Sequence, residues 1–196
     1  MVITNDLIDM VTTGTKTSTD NWGTGLIVQH PTTGKILLAK RTDNGMYGGP
    51  GGKVEIGESP KDGVLRECKE ESNIDVNSMS FYGVNLHDSP NNKNWVDFLF
   101  FTNDFDASHI QNQPSEMDQF DWYDIDTAMQ MDLFPPTRQG LNIALENGLL
   151  GGNTNNTIPF VECPTSASQI MDSPPCQYSY EEPEQVFTTH QWLYWD

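Results

Sequence analysis

The chain has 196 residues, with 28 acidic against 10 basic side chains and a net charge of -18. That length suits one domain with additional segments. The charge argues against a stable electrostatic grip on nucleic acid or anionic lipid, but it leaves room for anionic small molecules, because a bound divalent metal reverses the sign of a local site. The cysteines Cys68, Cys163 and Cys176 are odd in number and have no zinc-site spacing, and neither a basic leader nor a membrane-length apolar run stands out. The expectation is therefore a cytoplasmic protein.

Residues 1–20 are polar and threonine-rich and read as a flexible lead-in. Leu26-Ile27-Val28 and Ile36-Leu37-Leu38-Ala39 flank the turn cluster Pro31-Thr32-Thr33-Gly34, which predicts a β-hairpin. The glycine-rich stretch 42–53 reads as a loop and 59–72 as a helix. Residues 78–86 and 95–102 read as strands joined by a polar loop, and Phe120, Trp122 and Tyr123 mark another strand. Residues 137–147 read as a helix, with Leu141 and Leu145 four apart and Gly148 supplying a left-handed cap. Strands and helices interspersed with short connections predict an α/β (α+β) fold.

Residues 151–196 hold no Lys or Arg and are rich in Asn, Thr, Ser and Pro, yet they carry seven large aromatics, Trp192 and Trp195 among them. Two readings stay open: a solvated acidic tail, or a segment docked by its aromatics on the domain or on a partner subunit. The expected division is a lead-in over 1–20, one domain over 21–150 and an acidic, aromatic-containing extension over 151–196.

The chemistry concentrates in residues 51–74. Ser59 is suited to N-cap a helix, Pro60 fits its first position, and Asp62 can complete a capping box. On that helix Val64, Leu65 and Cys68 share one face, while Glu67, Glu70 and Glu71 fall on an adjoining stripe at spacings of three and four. Three carboxylates on one stripe repel, and a hard, oxygen-seeking cation removes that cost, although a solvated acidic face is the competing reading. Gly51 and Gly52 allow backbone to approach a ligand or metal closely. Arg66 can hold a carboxylate such as Glu58 in a fixed orientation.

Gly52, five residues, Glu58, seven residues, then Arg66-Glu67-Cys68-Lys69-Glu70-Glu71-Ser72-Asn73-Ile74 resembles the Nudix box, G-x5-E-x7-R-E-U-x-E-E-x-G-U. Every charged position matches. Cys68 stands at an aliphatic place and Asn73 replaces the glycine, and Asn tolerates the left-handed conformation a glycine there would supply. The resemblance extends over roughly residues 20–149. It implies an α/β/α sandwich on a mixed sheet and hydrolysis of a nucleoside diphosphate linked to another group, by attack of water on phosphorus with Mg²⁺ or Mn²⁺ as cofactor. A Nudix-fold binding or regulatory module that lacks catalysis is the alternative.

By position, the resemblance makes Glu67 and Glu71 the principal metal ligands, Glu70 a shared one and the Gly51 carbonyl a backbone ligand, with Glu58 and Arg66 supporting them. Glu116 is the candidate loop carboxylate, as further ligand or general base. Arg41, Trp122 and Pro90 are the substrate-side candidates. Trp122 with Ser115, Glu116 and Met117 is similar to the MutT-type branch, and Pro90 resembles a mark of the ADP-ribose pyrophosphatase branch. Phe134-Pro135-Pro136-Thr137 lacks the acidic pair that follows a Trp-Pro in mammalian MutT-type members, so recognition of an oxidised purine is not implied. The expected partner is a small-molecule nucleotide, without stable nucleic-acid or membrane binding, and a homodimer is left open.

Overall fold

The structure is a computed structural model that describes residues 5–17, 19–88, 94–108, 110, 116–150 and, by backbone, 161–164. The elements run α1 (Asn5–Thr12), β1 (Asn21–Val28), β2 (Ile36–Lys40), β3 (Tyr47–Gly48), β4 (Gly51–Lys53), α2 (Pro60–Ser72), β5 (Asp75–Asp88), β6 (Asn94–Asp106), β7 (Asp121–Tyr123), α3 (Ile125–Ala128), α4 (Pro135–Glu146) and β8 (Val161–Pro164). A five-stranded sheet has the order β4-β1-β6-β5-β8, and a three-stranded sheet the order β3-β2-β7. Among the described strands of the larger sheet only β1 and β6 pair in parallel, so that sheet is mixed.

Strand β6 shows why the sheet is covered on both faces. Its run Phe98-Leu99-Phe100-Phe101 is apolar without alternation, as a central strand buried on two sides requires. Phe98 and Phe100 pack with Val64 and Cys68 of α2 and Val11 of α1, whereas Leu99 and Phe101 pack with Leu141 and Ala144 of α4 and Ala128 of α3. Helices thus lie on each side of the sheet, the sandwich the sequence predicts. Among the described residues no helix is long and apolar enough to cross a membrane.

Several local expectations are corrected. Residues 5–12 form a helix rather than a flexible lead-in, because Val11 buries completely and Leu7 and Met10 pack beside it. The predicted hairpin over 26–39 is reduced to one bridge, Gln29 to Ile36, with its turn closed by His30 and Lys35. Beyond that bridge β1 goes to the large sheet and β2 to the small one, since the apolar run of each strand is buried by different partners. The stretch 42–53 contains the short strands β3 and β4 as well as loop. Helix α4 starts at Pro135, two residues earlier than expected, because the Pro pair fits the first helical turn. Gly148 takes φ 70°, as a left-handed cap should. Of the extension only β8 is described. It adds antiparallel to β5, pairing Cys163 with Met79. Trp192 and Trp195 lie outside the described residues.

Candidate active site

Helix α2 is the scaffold of the site. The Ser59 hydroxyl accepts from the Asp62 N–H at 3.1 Å and donates to the Asp62 carboxylate at 2.7 Å, and Pro60 occupies the first turn. Val64 and Cys68 are fully buried, which fixes the rotation of the helix and turns Glu67 and Glu71 toward β4. The helix ends at Asn73 with φ 58° and ψ 22°, its N–H bonded to the Lys69 carbonyl at 3.0 Å. Asn therefore adopts the conformation that the family pattern assigns to glycine.

Two glycines of β4 let the strand come against these carboxylates. The Gly51 N–H donates to Glu71 Oε2 at 2.9 Å. A Cβ on Gly52 would lie 2.5 Å from the Glu67 carboxylate, and one on Gly51 would collide with the Thr24 carbonyl. A larger residue at Gly52 would therefore displace the Glu67 carboxylate, and one at Gly51 would disturb the pairing with β1.

Glu116 comes to the same place from the far end of the chain. Its carbonyl accepts from the Thr42 N–H and hydroxyl, each at 3.0 Å, and the Asp118 N–H donates to Lys40 at 2.7 Å. Met117 bridges to Arg41 and is buried in the core, so it anchors the segment while Glu116 stays exposed. Carboxylate oxygens of Glu67, Glu71 and Glu116 all lie within 4.8 Å of one another. Burial, reinforced by the neighbouring Glu67 and Glu116 charges, pushes the Glu71 carboxyl up to about 8 even though the Gly51 N–H opposes the shift. Burial also raises Glu67, against the pull of Arg66. Three hard oxygen donors converging this closely fit a Mg²⁺ or Mn²⁺ ion.

Arg66 organises the adjoining charges. Its Nε donates to Glu58 at 2.9 Å, its NH1 lies 3.0 Å from Glu67 and 3.1 Å from Glu70, and its NH2 donates to the Lys53 carbonyl at 2.9 Å. The Glu58 hydrogen bond is the main reason its guanidinium stays even more firmly protonated than usual. Glu58 thus supports the site through Arg66.

Not every sequence candidate joins the cluster. Glu70 does not: its half-exposed carboxylate is drawn to Arg66, one helical turn back. The contact Gly51 makes with the cluster is through its N–H, where its carbonyl was expected. Arg41 stands at the rim, paired with Asp43 at 2.8 Å and stacked over Phe134 at 4.6 Å. The Trp122 ring packs on Phe105 and His30 at the edge of the core, which opposes its use as a wall for a base. Pro90 lies outside the described residues.

Sequence reasoning missed two supports. Lys16 is 1% exposed, donates to the Val54 carbonyl at 2.9 Å, and exchanges backbone bonds with Gly57 and Glu58, tying down the loop before α2. Burial lowers its ammonium pKa below the usual lysine value. Thr42, which holds Glu116, is the other. Both act across long sequence separations, and neither residue type signals its role.

The Nudix domain model matches residues 21–142. The chain belongs to the Nudix family. It is 28% identical over 134 residues to an uncharacterised Nudix hydrolase, YvcI, of Bacillus subtilis, covering 66% of this chain and 84% of that one. It is 33% identical over 103 residues to the NAD-capped RNA hydrolase NudC of Photorhabdus laumondii, covering 52% of this chain but only 37% of that relative's length. The crystal structure of a MutT Nudix hydrolase from Burkholderia pseudomallei superposes with a TM-score of 0.55 at 28% identity, covering 64% of this chain and 98% of that one. The Nudix protein is accordingly a hydrolase acting on pyrophosphate bonds, on an α+β fold with a mixed sheet.

Proposed function

We propose that this Nudix protein is a Mg²⁺- or Mn²⁺-dependent pyrophosphohydrolase of small nucleotides, either nucleoside triphosphates or ADP-ribose-like substrates, acting by water attack on phosphorus. The observation that carries the reading is the convergence of Glu67, Glu71 and Glu116 from a helix and a distant loop. A divalent ion held there supplies positive charge against the pyrophosphate oxygens and acidifies the attacking water. Glu67 and Glu71 are the ligands held in place by the fold. Glu116, the exposed member, is the candidate to accept the proton of the water. Arg66 keeps Glu67 oriented and is itself fixed by Glu58. Arg41, at the rim beside Glu116, is placed to meet the outer phosphates or ribose.

The test is a screen of nucleotides with Mg²⁺, its products resolved by chromatography. A nucleoside monophosphate plus pyrophosphate identifies a triphosphate substrate, and AMP plus ribose 5-phosphate identifies ADP-ribose. Loss of all turnover in EDTA is expected. Folded protein that cleaves none of the panel with Mg²⁺ or Mn²⁺ would sink the reading.

A further inference from the structure

Resting on that reading, the structure points to where the base is read. Asn85 of β5 and Asp97 of β6 are partners in register, so their side chains stand on one face of the sheet. That face is the one α4 covers further along, where Leu99 and Phe101 belong to its cluster and a Cβ on Gly83 would touch Ile143. Asn85 is 2% exposed, and among the described residues neither its amide nitrogen nor its amide oxygen has a hydrogen-bond partner. Asp97 is also mostly buried, and its Oδ2 lies 2.9 Å from His87 Nδ1 in a geometry that gives neither atom a hydrogen bond among the described residues. The His87 imidazole stacks on Trp95, with the rings 11° from parallel. A Cβ on Gly23 would collide with Asp97 Oδ1, so only glycine there admits the carboxylate.

An apolar core gains nothing from an unsatisfied amide set beside a carboxylate, and such a pair retains its full desolvation cost until something bonds it. Gly25, two residues along β1 from Gly23, is partly exposed, and among the described residues a Cβ built on it meets nothing within 4 Å. Gly25 is in register with Gly51, whose N–H bonds Glu71. From Asp97 to Gly51 is two residues along the strands and two strands across, roughly 12 Å. That distance is the reach of a nucleotide from its base to its phosphates.

We propose that Asn85 and Asp97 form the base-reading end of the site, with the open strip over Gly25 leading to the phosphate end, and that the base they select is guanine. The pair offers more acceptors than donors: a carboxylate, an amide carbonyl and one amide NH2. Guanine is the nucleobase richest in donors on its pairing edge, with N1–H and the 2-amino group beside the acceptor O6. The carboxylate takes N–H donors, and the Asn85 NH2 donates to O6.

The experiment compares GTP, ITP, ATP, CTP and UTP as substrates with Mg²⁺, and measures equilibrium binding of GMP, IMP and AMP by calorimetry, which needs no turnover. GTP should exceed ITP, which lacks only the 2-amino group, by at least about tenfold in kcat/KM, and GMP should bind more tightly than IMP or AMP. Asp97→Asn is nearly isosteric and should shrink the GTP to ATP ratio at least about tenfold. Asn85→Leu, which keeps the branched shape but loses both polar groups, should do the same, and circular dichroism checks that each variant folds. Turnover of nucleotides without guanine preference, or variants that lower all substrates alike, overturns this inference while leaving the hydrolase reading intact. Equal binding of the three monophosphates overturns it whether or not the protein turns over, and marks the pair as a water-filled defect of the sheet. Guanine-selective binding without turnover supports it and overturns the hydrolase reading alone.

Discussion

Glu71→Gln should make the metal-free protein more stable. The carboxyl titrates near 4.5 in an unfolded chain and at about 8 when folded, so between those values the folded protein holds the extra proton and stability falls as pH rises. At about 1.4 kcal/mol per pH unit, the shift costs on the order of 4 kcal/mol by pH 8. Glutamine keeps an oxygen for the Gly51 N–H and removes the charge that burial opposes. For a domain of this size each kcal/mol moves the melting temperature by roughly 2–4 °C, so E71Q in EDTA at pH 8 should melt on the order of 10 °C above wild type. At pH 5, where the native side chain is already protonated, the two should nearly coincide. Saturating Mg²⁺ should raise wild type much more than E71Q, since binding to the folded state alone adds stability. Differential scanning calorimetry at the two pH values, with and without Mg²⁺, reads all of this. A melting temperature for E71Q in EDTA at pH 8 no higher than wild type, or a gap that ignores pH, would refute the reasoning.

Deleting residues 1–13, which spares Lys16, should cost on the order of 3 kcal/mol in urea unfolding, because Val11 leaves the core together with its neighbours Leu7 and Met10; unchanged stability would show that α1 is an appendage. Asn73→Ala should cost about 1 kcal/mol and Asn73→Gly nothing, because φ at this position is 58°; equal melting curves for the two variants would contradict the cap assignment. Turnover should rise with pH to an optimum at roughly pH 8–9.5, as the carboxylates and the attacking water lose protons; a profile peaking near 5 would point to a different mechanism.

The charged core of the site was legible because Glu58, Arg66, Glu67 and Glu71 lie within one loop and helix, where spacing dictates which side chains share a face. Glu116 was legible only through the resemblance, yet the fold brings it to Glu67 and Glu71 because Met117 is buried beside the end of β2. Glu70 lies on the same helical stripe, but its half-exposed carboxylate pairs with Arg66 and stands outside the group formed by Glu67, Glu71 and Glu116. The left-handed turn at Asn73 followed from the glycine position of the family pattern together with the tolerance of Asn for that conformation. The burial of α1 and the Lys16 contacts did not, because a short amphipathic segment reads as helix only once its apolar side has a core to meet. The splayed β1 and β2 were hidden for a related reason: a turn signal shows where the chain reverses, not which sheet each strand then joins. The unsatisfied Asn85 could not be seen at all, since nothing in VNLHD distinguishes a buried amide from an exposed one.

The account rests on Glu67, Glu71 and Glu116 acting as one metal centre. Calorimetric titration of Mn²⁺ into wild type, E67Q, E71Q and E116Q tests this most directly. Wild type should bind saturably, and each substitution should weaken the tightest site by at least about tenfold, one charged ligand at a time. Wild-type affinity retained in all three variants, or no saturable binding by the folded wild-type protein, would contradict it.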